Sequence, residues 1–500
     1  MDSKSNMDFP NEIEEFINSE NGVSLILKGP PGSGKTTLAL QILEHFQEKN
    51  KIIYLSTRVG DVSLHKQFPW LKEMEKNLKL LITSKLFIEQ TFQEILEEEN
   101  PVNVYGRKLL EEMTGEPPKK IYRIMFKRYL KESEAAEVKR VYDSIESNLP
   151  NKSVIVIDSI EGFTSMLNIS IPNFVYMFQK DLVEGVNSNI VFVSEEDARG
   201  PEDYIVDGVV NLDYKIEDGK RLRTIYIKKL RSLGIKKPSY CYTLNNGRFH
   251  SFSPDSYENL RIGGWEPIKN KKGLYSTGIQ DFDNLLDGGI KPGTFFNIEI
   301  DREILHEYYT FITNTLVLNY LSQDLKILVM PVPGTSFEYY RNYFKKWVPA
   351  EKIDKKIKFI DYSSTDSKYA SVIPLGGLDI NTAHKLHVKA VSEFMTPKDS
   401  PGLILLNHDV LEYIYGADLA LKNIFENLSN LKSSEKVTVS LTKPGQKIKD
   451  EIANISDYQF KIVLVENMMY IYGIKPKTIY YVITVDSQKG FPNIRLVPVV

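Results

Sequence analysis

The sequence lacks several features that would point to an exported or membrane protein. Its 500 residues contain a single cysteine, Cys241, which excludes an intramolecular disulfide and fits a reducing compartment. No apolar run reaches the roughly 18 residues that a membrane-spanning helix needs. Residues 1–10 carry acids and no apolar core, so no signal peptide is expected. We therefore expect a cytoplasmic protein with no membrane partner, in which Cys241 is a buried small apolar group.

A strong charge of either sign is also lacking. The formal net charge is −3, so nothing in the overall charge favours nucleic acid or an acidic membrane, and any such surface must be local. The apolar content of 42% is ordinary for globular proteins. A chain of 500 residues is too long for one ordinary hydrophobic core, which predicts at least two domains.

The most specific motif is a glycine-rich stretch at residues 29–36, which fits G-x-x-x-x-G-K-[ST] at every fixed position. A short apolar run at 23–27 precedes it, and apolar residues at helical spacing follow it. Strand, glycine loop and helix form the setting in which this motif binds nucleotide phosphates. The residues expected to bind ATP are Gly29, Pro30, Pro31, Gly32, Ser33, Gly34, Lys35, Thr36 and Thr37.

The chemistry expected at this motif requires Mg²⁺ as well as ATP. Glycines let the backbone N–H groups approach phosphate oxygens, and Lys35 reaches the β- and γ-phosphates as a catalytic residue. The hydroxyl of Thr36 is expected to bind Mg²⁺. A second metal ligand and catalytic residue is expected at Asp158, because this acid ends the apolar strand 153–157.

The rest of the chain suggests two α/β domains. The first spans residues 1–250 and contains a helical insertion at about 66–150, where prolines punctuate a helical pattern with few strand candidates. Residues 251–272 are rich in proline, glycine and lysine and are interpreted as a linker. A second alternation of strands and helices covers residues 273–500 and ends in an antiparallel meander.

A family resemblance is carried by residues 273–290, which read GLYSTGIQDFDNLLDGGI. This stretch resembles the amino-terminal segment of KaiC-like ATPases of the RecA superfamily. The first half resembles the same family by its phosphate loop, by Asp158-Ser159 and by the stretch from 206 to Arg231. The layout is most similar to that of the archaeal gas-vesicle regulators of the GvpD type. The resemblance implies an α/β fold of two RecA-like P-loop domains, with mostly parallel sheets flanked by helices, a degenerate second domain and a helical insertion in the first.

The same resemblance implies assembly into a homo-oligomer. In this family a Lys-x-Arg on a late strand reaches the γ-phosphate bound by a neighbouring subunit, and Lys229 and Arg231 match that motif. The neighbour is either a second copy of the chain or the second domain of the same chain, and the sequence leaves both alternatives open. Without the resemblance, the two side chains read as a solvated strand edge.

The sequence departs from the family at three places. Residues 299–306 stand where the second phosphate loop should be, but they lack glycine and carry His306 near the lysine position, so this domain is not expected to bind ATP. The usual catalytic glutamate after the second strand is replaced by Thr57 and Arg58, so turnover is expected to be slow or stimulated by a partner. Glu161, Asp61 and Glu195 are left open as substitutes. The third departure is the missing STGI-like segment before the first phosphate loop, which leaves the adenine pocket undefined.

Two functions are favoured at this stage, and a third, a kinase or NTPase that acts on a small molecule, ranks last because no second substrate motif supports it. The first is a Mg-ATP-dependent regulatory switch that acts on a protein partner in signalling or transcription control. The alternative is a DNA-binding recombinase-like ATPase, for which basic stretches at 119–140 and 215–237 provide candidate contacts. His384 and His387 have metal-like spacing, but a solvated helix face is the favoured interpretation because no third ligand is near in sequence.

Overall fold

The computed structural model describes the chain in several ranges: 8–57, 61–74, 77–82, 136–253, 257, 260–332, 335–362, 365–397, 400–486 and 488–500. The chain divides into two compact units, one of residues 1–252 with Val500 and one of residues 253–499. Within the described ranges, each unit holds one large sheet, mostly parallel and flanked by helices, so the predicted fold class is confirmed. No helix in these ranges is long and apolar enough to cross a membrane.

The described part of the first unit forms a nine-stranded sheet in the order β3-β2-β4-β5-β1-β6-β7-β8-β9. The strands are β1 (Ser24–Lys28), β2 (Lys51–Ser56), β3 (Leu78–Ile82), β4 (Ser153–Asp158), β5 (Asn189–Val193), β6 (Gly208–Glu217), β7 (Lys220–Leu230), β8 (Ser239–Thr243) and β9 (His250–Phe252). Along this order, neighbouring strands from β3 through β1 to β6 pair in parallel. Neighbouring strands from β6 to β9 pair antiparallel. Every residue of β1, β4 and β5 is buried, as expected for parallel strands covered by helices on both faces.

Helices cover both faces of this sheet. They are α1 (Asn11–Ile17), α2 (Lys35–Phe46), α3 (Asp61–Gln67), α4 (Ala136–Glu146), α5 (Ile160–Leu167), α6 (Ile171–Phe178) and α7 (Glu202–Ile205). The described part also contains 3₁₀ helices at Pro69–Met74 and Asn245–Gly247 and a π-helical turn at Gln179–Glu184. One core lies on the α2 side of the sheet, and a second core lies under α4, α5 and α6.

The region predicted as a helical insertion, 66–150, also contains a β-strand. Strand β3 lies in it and pairs in parallel with β2, so that Ile52 faces Leu78. The segment is a short run of leucine and isoleucine interrupted by one lysine, which is too short to distinguish a strand from a helix by its pattern. Residues 83–135, and with them most of the basic stretch 119–140, lie outside the described residues.

The second unit has ten strands within its described residues, in the order β13-β12-β11-β14-β15-β10-β16-β17-β18-β19. The strands are β10 (Phe295–Ile300), β11 (Lys326–Val329), β12 (Ile357–Asp361), β13 (Val372–Pro374), β14 (Gly402–Asn407), β15 (Lys436–Thr442), β16 (Tyr458–Val465), β17 (Met468–Lys475), β18 (Tyr481–Val485) and β19 (Ile494–Pro498). The helices are α8 (Gln280–Leu285), α9 (His306–Ser322), α10 (Phe337–Phe344), α11 (Ala350–Lys356), α12 (Ile380–Phe394), α13 (His408–Tyr415), α14 (Ala417–Lys432) and α15 (Lys449–Ile455).

The two sheets share one topology, which identifies equivalent residues. Removing the edge strand β13 leaves the same strand order in both units. An aspartate before the sixth strand accepts from the first residue of the central strand in each unit: Ser24 N donates to Asp207 Oδ2 at 3.2 Å, and Phe295 N donates to Asp457 Oδ2 at 2.9 Å. The β-bulge that follows also recurs, at Val209/Val210 and at Gln459/Phe460.

The strand register then sets three equivalences that bear on function. In the first unit, Asp158 pairs with Val193 of β5, which in turn pairs with Leu27 of β1. In the second unit, Asn407 pairs with Leu441 of β15, which in turn pairs with Ile298 of β10, so Asn407 is equivalent to Asp158. His306 is equivalent to Lys35 because each begins the helix after the central strand. Lys475 is equivalent to Lys229, since the two lysines pair with the residues just before the shared bulge.

Most of the stretch predicted as a linker, 251–272, packs against the second unit. Tyr257 Oη donates to Ile483 O at 2.6 Å, and Trp347 Nε1 donates to Gly263 O at 3.2 Å. Asn319 Oδ1 accepts from Ile268 N at 2.9 Å. The division between the units falls at Phe252/Ser253, so the described residues beyond it are part of the second compact unit.

Candidate nucleotide-binding site

The glycine-rich loop connects β1 to α2 with a backbone that only glycine adopts easily. Gly29, Gly32 and Gly34 have φ values of +144°, +76° and +94°. A Cβ at Gly29 would lie 2.0 Å from Leu212 O, and a Cβ at Gly34 would lie 2.7 Å from Leu244 Cδ2. At Gly32 a Cβ would meet no atom within 4 Å, so its surface faces open space. These features fit a loop that lets an anion approach its backbone.

Two side chains from the antiparallel half of the sheet fix the orientation of this loop. Arg223 Nη1 on β7 donates to Gly32 O at 2.9 Å, and Tyr242 Oη on β8 donates to Ser33 O at 2.5 Å. Because C=O and N–H of a trans peptide point to opposite sides, the bond to Ser33 O turns the N–H of Gly34 away from Tyr242. The motif gives no sign of either residue, since both come from strands far away in sequence.

Lys35 is the first residue of α2 and lies beneath the loop. Its Nζ donates to Gly29 O at 2.6 Å and to Pro30 O at 3.0 Å, and its side chain is buried. The ammonium therefore stands next to the N–H groups and the positive helix end that attract phosphate. The other predicted nucleotide-binding residues, Pro30, Pro31, Ser33 and Thr37, lie in the same loop and in the first turn of α2.

Thr36 and Asp158 meet at the carboxyl end of the sheet. Thr36 Oγ1 donates to Asp158 Oδ2 at 2.6 Å, although the two residues come from opposite sides of β5. Tyr54 Oη on β2 donates to the same oxygen at 2.9 Å. Burial, with the charge of Asp158 as a second cause, raises the pKa of Tyr54 well above its usual value, so this phenol remains a donor. Tyr54 is a site residue that the sequence did not predict; its signal is a phenol within the otherwise apolar run 52–55.

The donor set suits Mg-ATP. A hydroxyl and a carboxylate are oxygen ligands, and Mg²⁺ is usually held by one or two protein oxygens together with phosphate oxygens. In the described part of the chain, the Oγ atoms of Ser33 and Ser159 are buried without a hydrogen-bond partner. Buried polar atoms of this kind are normally paired, so their position beside the loop and Asp158 fits a polar ligand there.

The position of the usual catalytic glutamate is occupied by a side chain that packs internally. Thr57 N donates to Asp158 O at 2.9 Å, and Thr57 Oγ1 accepts from Ser159 N at 3.3 Å. A Cβ on Gly162 would lie 2.2 Å from that hydroxyl oxygen, so α5 packs directly on Thr57. Arg58 lies outside the described residues.

Of the three acids considered as substitutes, Glu161 is fixed by two hydrogen bonds at the end of β5. Its Oε1 accepts from Ser194 Oγ at 2.6 Å and from Glu195 N at 2.9 Å, which ties α5 to the end of β5. Its Oε2 is buried and, among the residues that the structure describes, has no hydrogen-bond partner. Asp61 begins α3, and nothing about its side chain is described.

Lys229 and Arg231 make contacts within their own unit. Lys229 Nζ donates to Asp203 O at 2.9 Å and to Val206 O at 2.6 Å, and thereby caps the carboxyl end of α7. Arg231 Nη1 pairs with Asp207 Oδ1 at 2.7 Å, and its side chain is 53% exposed. In the second unit the equivalent Lys475 donates to the carbonyls of Ala453 and Asn454, at the end of α15. The capping lysine thus also occurs in a unit that has no glycine loop.

The second unit lacks the geometry of a phosphate loop. Leu305, which precedes α9, has a φ of −61°, where Gly34 in the first unit has +94°. Asn407 replaces Asp158, and its Oδ1 accepts from Asp409 N at 3.2 Å. Lys443 pairs with Asp409 at 3.0 Å, and Arg302 Nε donates to Pro444 O at 3.0 Å. The residues around the position equivalent to the phosphate loop are therefore engaged in polar contacts with one another.

Several basic side chains of the stretch 215–237 are engaged locally. The guanidinium of Arg221 lies 4.8 Å from the ring centre of Tyr214, and the ammonium of Lys228 lies 4.6 Å from that of Tyr226. Arg223 is buried against the glycine loop. These contacts give the arginines and lysines roles in the fold that charge counting along the sequence cannot show.

The histidine pair and the cysteine have ordinary structural settings. His387 Nδ1 is hydrogen-bonded to Tyr362 Oη at 2.8 Å, and His384 Nδ1 lies 3.1 Å from Asn423 Nδ2. His387 is buried, so the expectation that both histidines lie on a solvated face is wrong for this residue. Its ring lies on α12 and meets the ring of Tyr362 edge-on, with 6.2 Å between the ring centres. Cys241 is buried on β8, as expected.

Comparison with known proteins defines the class of the first unit. Residues 17–250 match the protein-family model described as "ATPase: KaiC". The first unit is a KaiC-like ATPase domain of the RecA-like fold, and the predicted resemblance is confirmed. Over nearly its whole length, the chain is similar to two proteins of Halobacterium salinarum. It is 22% identical to Protein GvpD1, with 98% of this chain and 97% of the relative covered, and 23% identical to Protein GvpD2, with 98% and 96% covered.

Proposed function

We propose that the first unit binds Mg-ATP and that the chain works as a nucleotide-dependent regulatory switch on a protein partner. The observation that carries the proposal is the 2.6 Å contact between Thr36 and Asp158 beside an intact glycine loop. The second unit keeps the same strand order but has His306 and Asn407 at the positions of Lys35 and Asp158. A chain with one complete site and one full-length unit without it suits regulation better than metabolic turnover.

Each residue of the site has a distinct role in this proposal. The loop N–H groups and Lys35 hold the phosphates, while Thr36 and Asp158 hold Mg²⁺, which neutralises phosphate charge when bound. Tyr54 orients the carboxylate of Asp158 by donating to the oxygen that also meets Thr36. Arg223 and Tyr242 keep the loop in its binding conformation by anchoring its carbonyls.

We further propose that Glu161 positions the attacking water. Thr57 has no carboxylate and its hydroxyl is already bonded, whereas Glu161 has one fixed oxygen and one buried oxygen that lacks a partner in the described ranges. The carboxylate lies at the end of β5, between the strands that carry Asp158 and the loop. A carboxylate held in this way accepts a proton or a hydrogen bond from water.

Substituting Glu161 by glutamine is expected to slow ATP hydrolysis by roughly 10²- to 10⁴-fold, the usual contribution of a general base. The affinity for Mg-ATP should stay within about threefold, a difference under 1 kcal/mol, because the substitution removes no phosphate contact. Single-turnover hydrolysis and equilibrium binding measure the two quantities. Glu196→Gln, a change at an exposed neighbour of the same region, is the matched control. Unchanged hydrolysis in Glu161→Gln would remove Glu161 from this role.

The switch itself is tested by partner capture with two variants of opposite nucleotide state. Glu161→Gln should remain loaded with ATP, and Lys35→Ala should remain without nucleotide. If the chain is a switch, the two variants recover different sets of proteins from the cell of origin, and wild type with ADP resembles one of them. Equal recovery by both variants would count against a nucleotide-dependent switch, even if ATP binding is confirmed.

We propose a cytoplasmic homo-oligomer in which Arg231, but not Lys229, reaches a neighbour. Lys229 is held by two carbonyls, and burial lowers its pKa, as expected for a lysine used inside the fold. Contact with DNA through 215–237 is less well supported, because Arg221, Arg223 and Lys228 are engaged with aromatic rings or with the loop.

A further inference from the structure

A recess of about 360 Å³ opens in the second unit between α12, α14 and the sheet. Its floor is formed by Ile404 and Leu406 of β14, and its walls include Val391 on α12 and Ile424 and Leu431 on α14. Pockets that bind small molecules typically have volumes of roughly 300–1,000 Å³ and mostly apolar linings. The recess has the size and the lining of such a pocket.

The first unit shows that the fold does not require this recess. There α4 and α6 occupy the positions of α12 and α14, before and after the equivalent strand β4. Aromatic rings fill the space: Phe174 and Phe178 lie 4.6 Å apart, Tyr142 lies 6.2 Å from Phe178, and Phe192 of β5 lies 6.4 Å from Phe178. The second unit has no such aromatic cluster among the residues that line its recess. The difference arises from side chains on a shared topology.

Asparagine residues line one side of the recess. Asn423, Asn427 and Asn430 on α14 are spaced by four and three residues, which places them on one helix face. Asn427 Nδ2 donates to Asn423 O and Oδ1 at 2.8 Å each, so the amides are arranged in a row. An amide carries both donors and acceptors, and it therefore suits a ligand head group that also has both.

The charged and titratable groups at the recess are already satisfied or neutral. Burial, with His384 as a second cause, lowers the pKa of His387 to about 4, so this imidazole is neutral near pH 7. Lys436 Nζ donates to Pro397 O at 2.9 Å and to Ser400 O at 2.8 Å. The groups that face a ligand are therefore apolar side chains, neutral amides and the hydroxyls of Ser392, Thr396 and Ser434, which already donate to backbone carbonyls.

We propose that this recess binds an uncharged small molecule with an aliphatic body and a head group that both donates and accepts hydrogen bonds, such as a primary amide. The aliphatic part lies over Ile404, Leu406 and Ile424, and the head group meets the row of asparagines. This site is separate from the glycine loop and stands independently of the proposed ATP switch. It gives the unit without a phosphate loop a ligand of its own.

Titration of the full-length chain with octanamide and with octanoate tests the proposal by calorimetry. Octanamide should bind saturably at one molecule per chain. Octanoate has the same aliphatic body but a charged head without a donor, and it should bind at least tenfold more weakly, a difference of about 1.4 kcal/mol. Lys35→Ala should bind octanamide as wild type does, which separates this site from nucleotide binding.

Three variants locate the site. Val391→Trp fills the recess and should abolish octanamide binding. Phe425→Trp is the matched control, because Phe425 lies on the same α14 but is 51% exposed and does not line the recess. Asn427→Leu replaces the amide by an apolar side chain of similar size and should reduce octanamide binding about tenfold or more. Mg-ATP affinity and the unfolding midpoint of each variant report that the chain is folded.

Three results would overturn the proposal. The first is the absence of saturable octanamide binding to folded wild type, and the second is binding that persists in folded Val391→Trp. The third is equal affinity for octanamide and octanoate, which would contradict a site built for an uncharged head group.

Discussion

Lys35→Ala is expected to weaken Mg-ATP binding by roughly 10²- to 10⁴-fold. The ammonium is expected to bond two phosphates, and a hydrogen bond to a charged group contributes about 1.5–3 kcal/mol. Lys35 is buried beneath the loop, and its Nζ donates to Gly29 O and Pro30 O, so its charge lies at the proposed phosphate site. Equilibrium titration with a fluorescent ATP analogue, at fixed Mg²⁺ and ionic strength, measures the loss.

The matched control for this change is His306→Ala in the second unit. His306 begins α9 as Lys35 begins α2, but the loop before it has no glycine turns. Its removal should leave the nucleotide affinity unchanged within experimental error. A large loss in His306→Ala, or nearly full affinity in Lys35→Ala, would show that the nucleotide is bound elsewhere.

Asp158→Asn is the second change with a large expected effect, and it gives the first unit the residue that the second unit already has. The substitution keeps the shape of the side chain but removes the negative charge that attracts Mg²⁺. Metal-dependent hydrolysis should fall by about 10²- to 10³-fold, since a correctly placed metal ion contributes several kcal/mol and each 1.36 kcal/mol is a factor of ten in rate. Hydrolysis measured across a Mg²⁺ titration checks this.

The reciprocal change, Asn407→Asp, is the control for that prediction. It restores a carboxylate at the equivalent register position, but no phosphate loop lies beside it in the second unit. It should create no second nucleotide site. Asp158→Asn with an unchanged Mg²⁺ requirement would contradict the role of Asp158 as a metal ligand.

The glycine loop could be located from the sequence because its chemistry demands specific residues at fixed spacing. Asp158 was also within reach, since an acid that ends an apolar strand lies at the carboxyl edge of a parallel sheet. The same reasoning, applied to the apolar run 402–406 and the residue after it, would have indicated Asn407. The fold class followed from the alternation of strands and helices, together with the family resemblance.

Other parts of the site could not be predicted, because they depend on register and on distant strands. Tyr54 on β2 donates to Asp158 on the neighbouring parallel strand β4. Arg223 and Tyr242 reach the loop from the antiparallel half of the sheet. No local pattern marks these residues. Lys229 is a further case. Its motif, shared with the family, suggested a phosphate contact. In the structure Lys229 caps a helix end instead, and this contact becomes visible only in three dimensions.

The central claim is that each chain has one competent nucleotide site, in the first unit. Calorimetric titration of the full-length chain with a non-hydrolysable ATP analogue and Mg²⁺ tests it most directly. We predict one nucleotide per chain for wild type and for His306→Ala, and no binding in the same concentration range for Lys35→Ala. Two nucleotides per chain, or a single one that survives Lys35→Ala, would contradict the account.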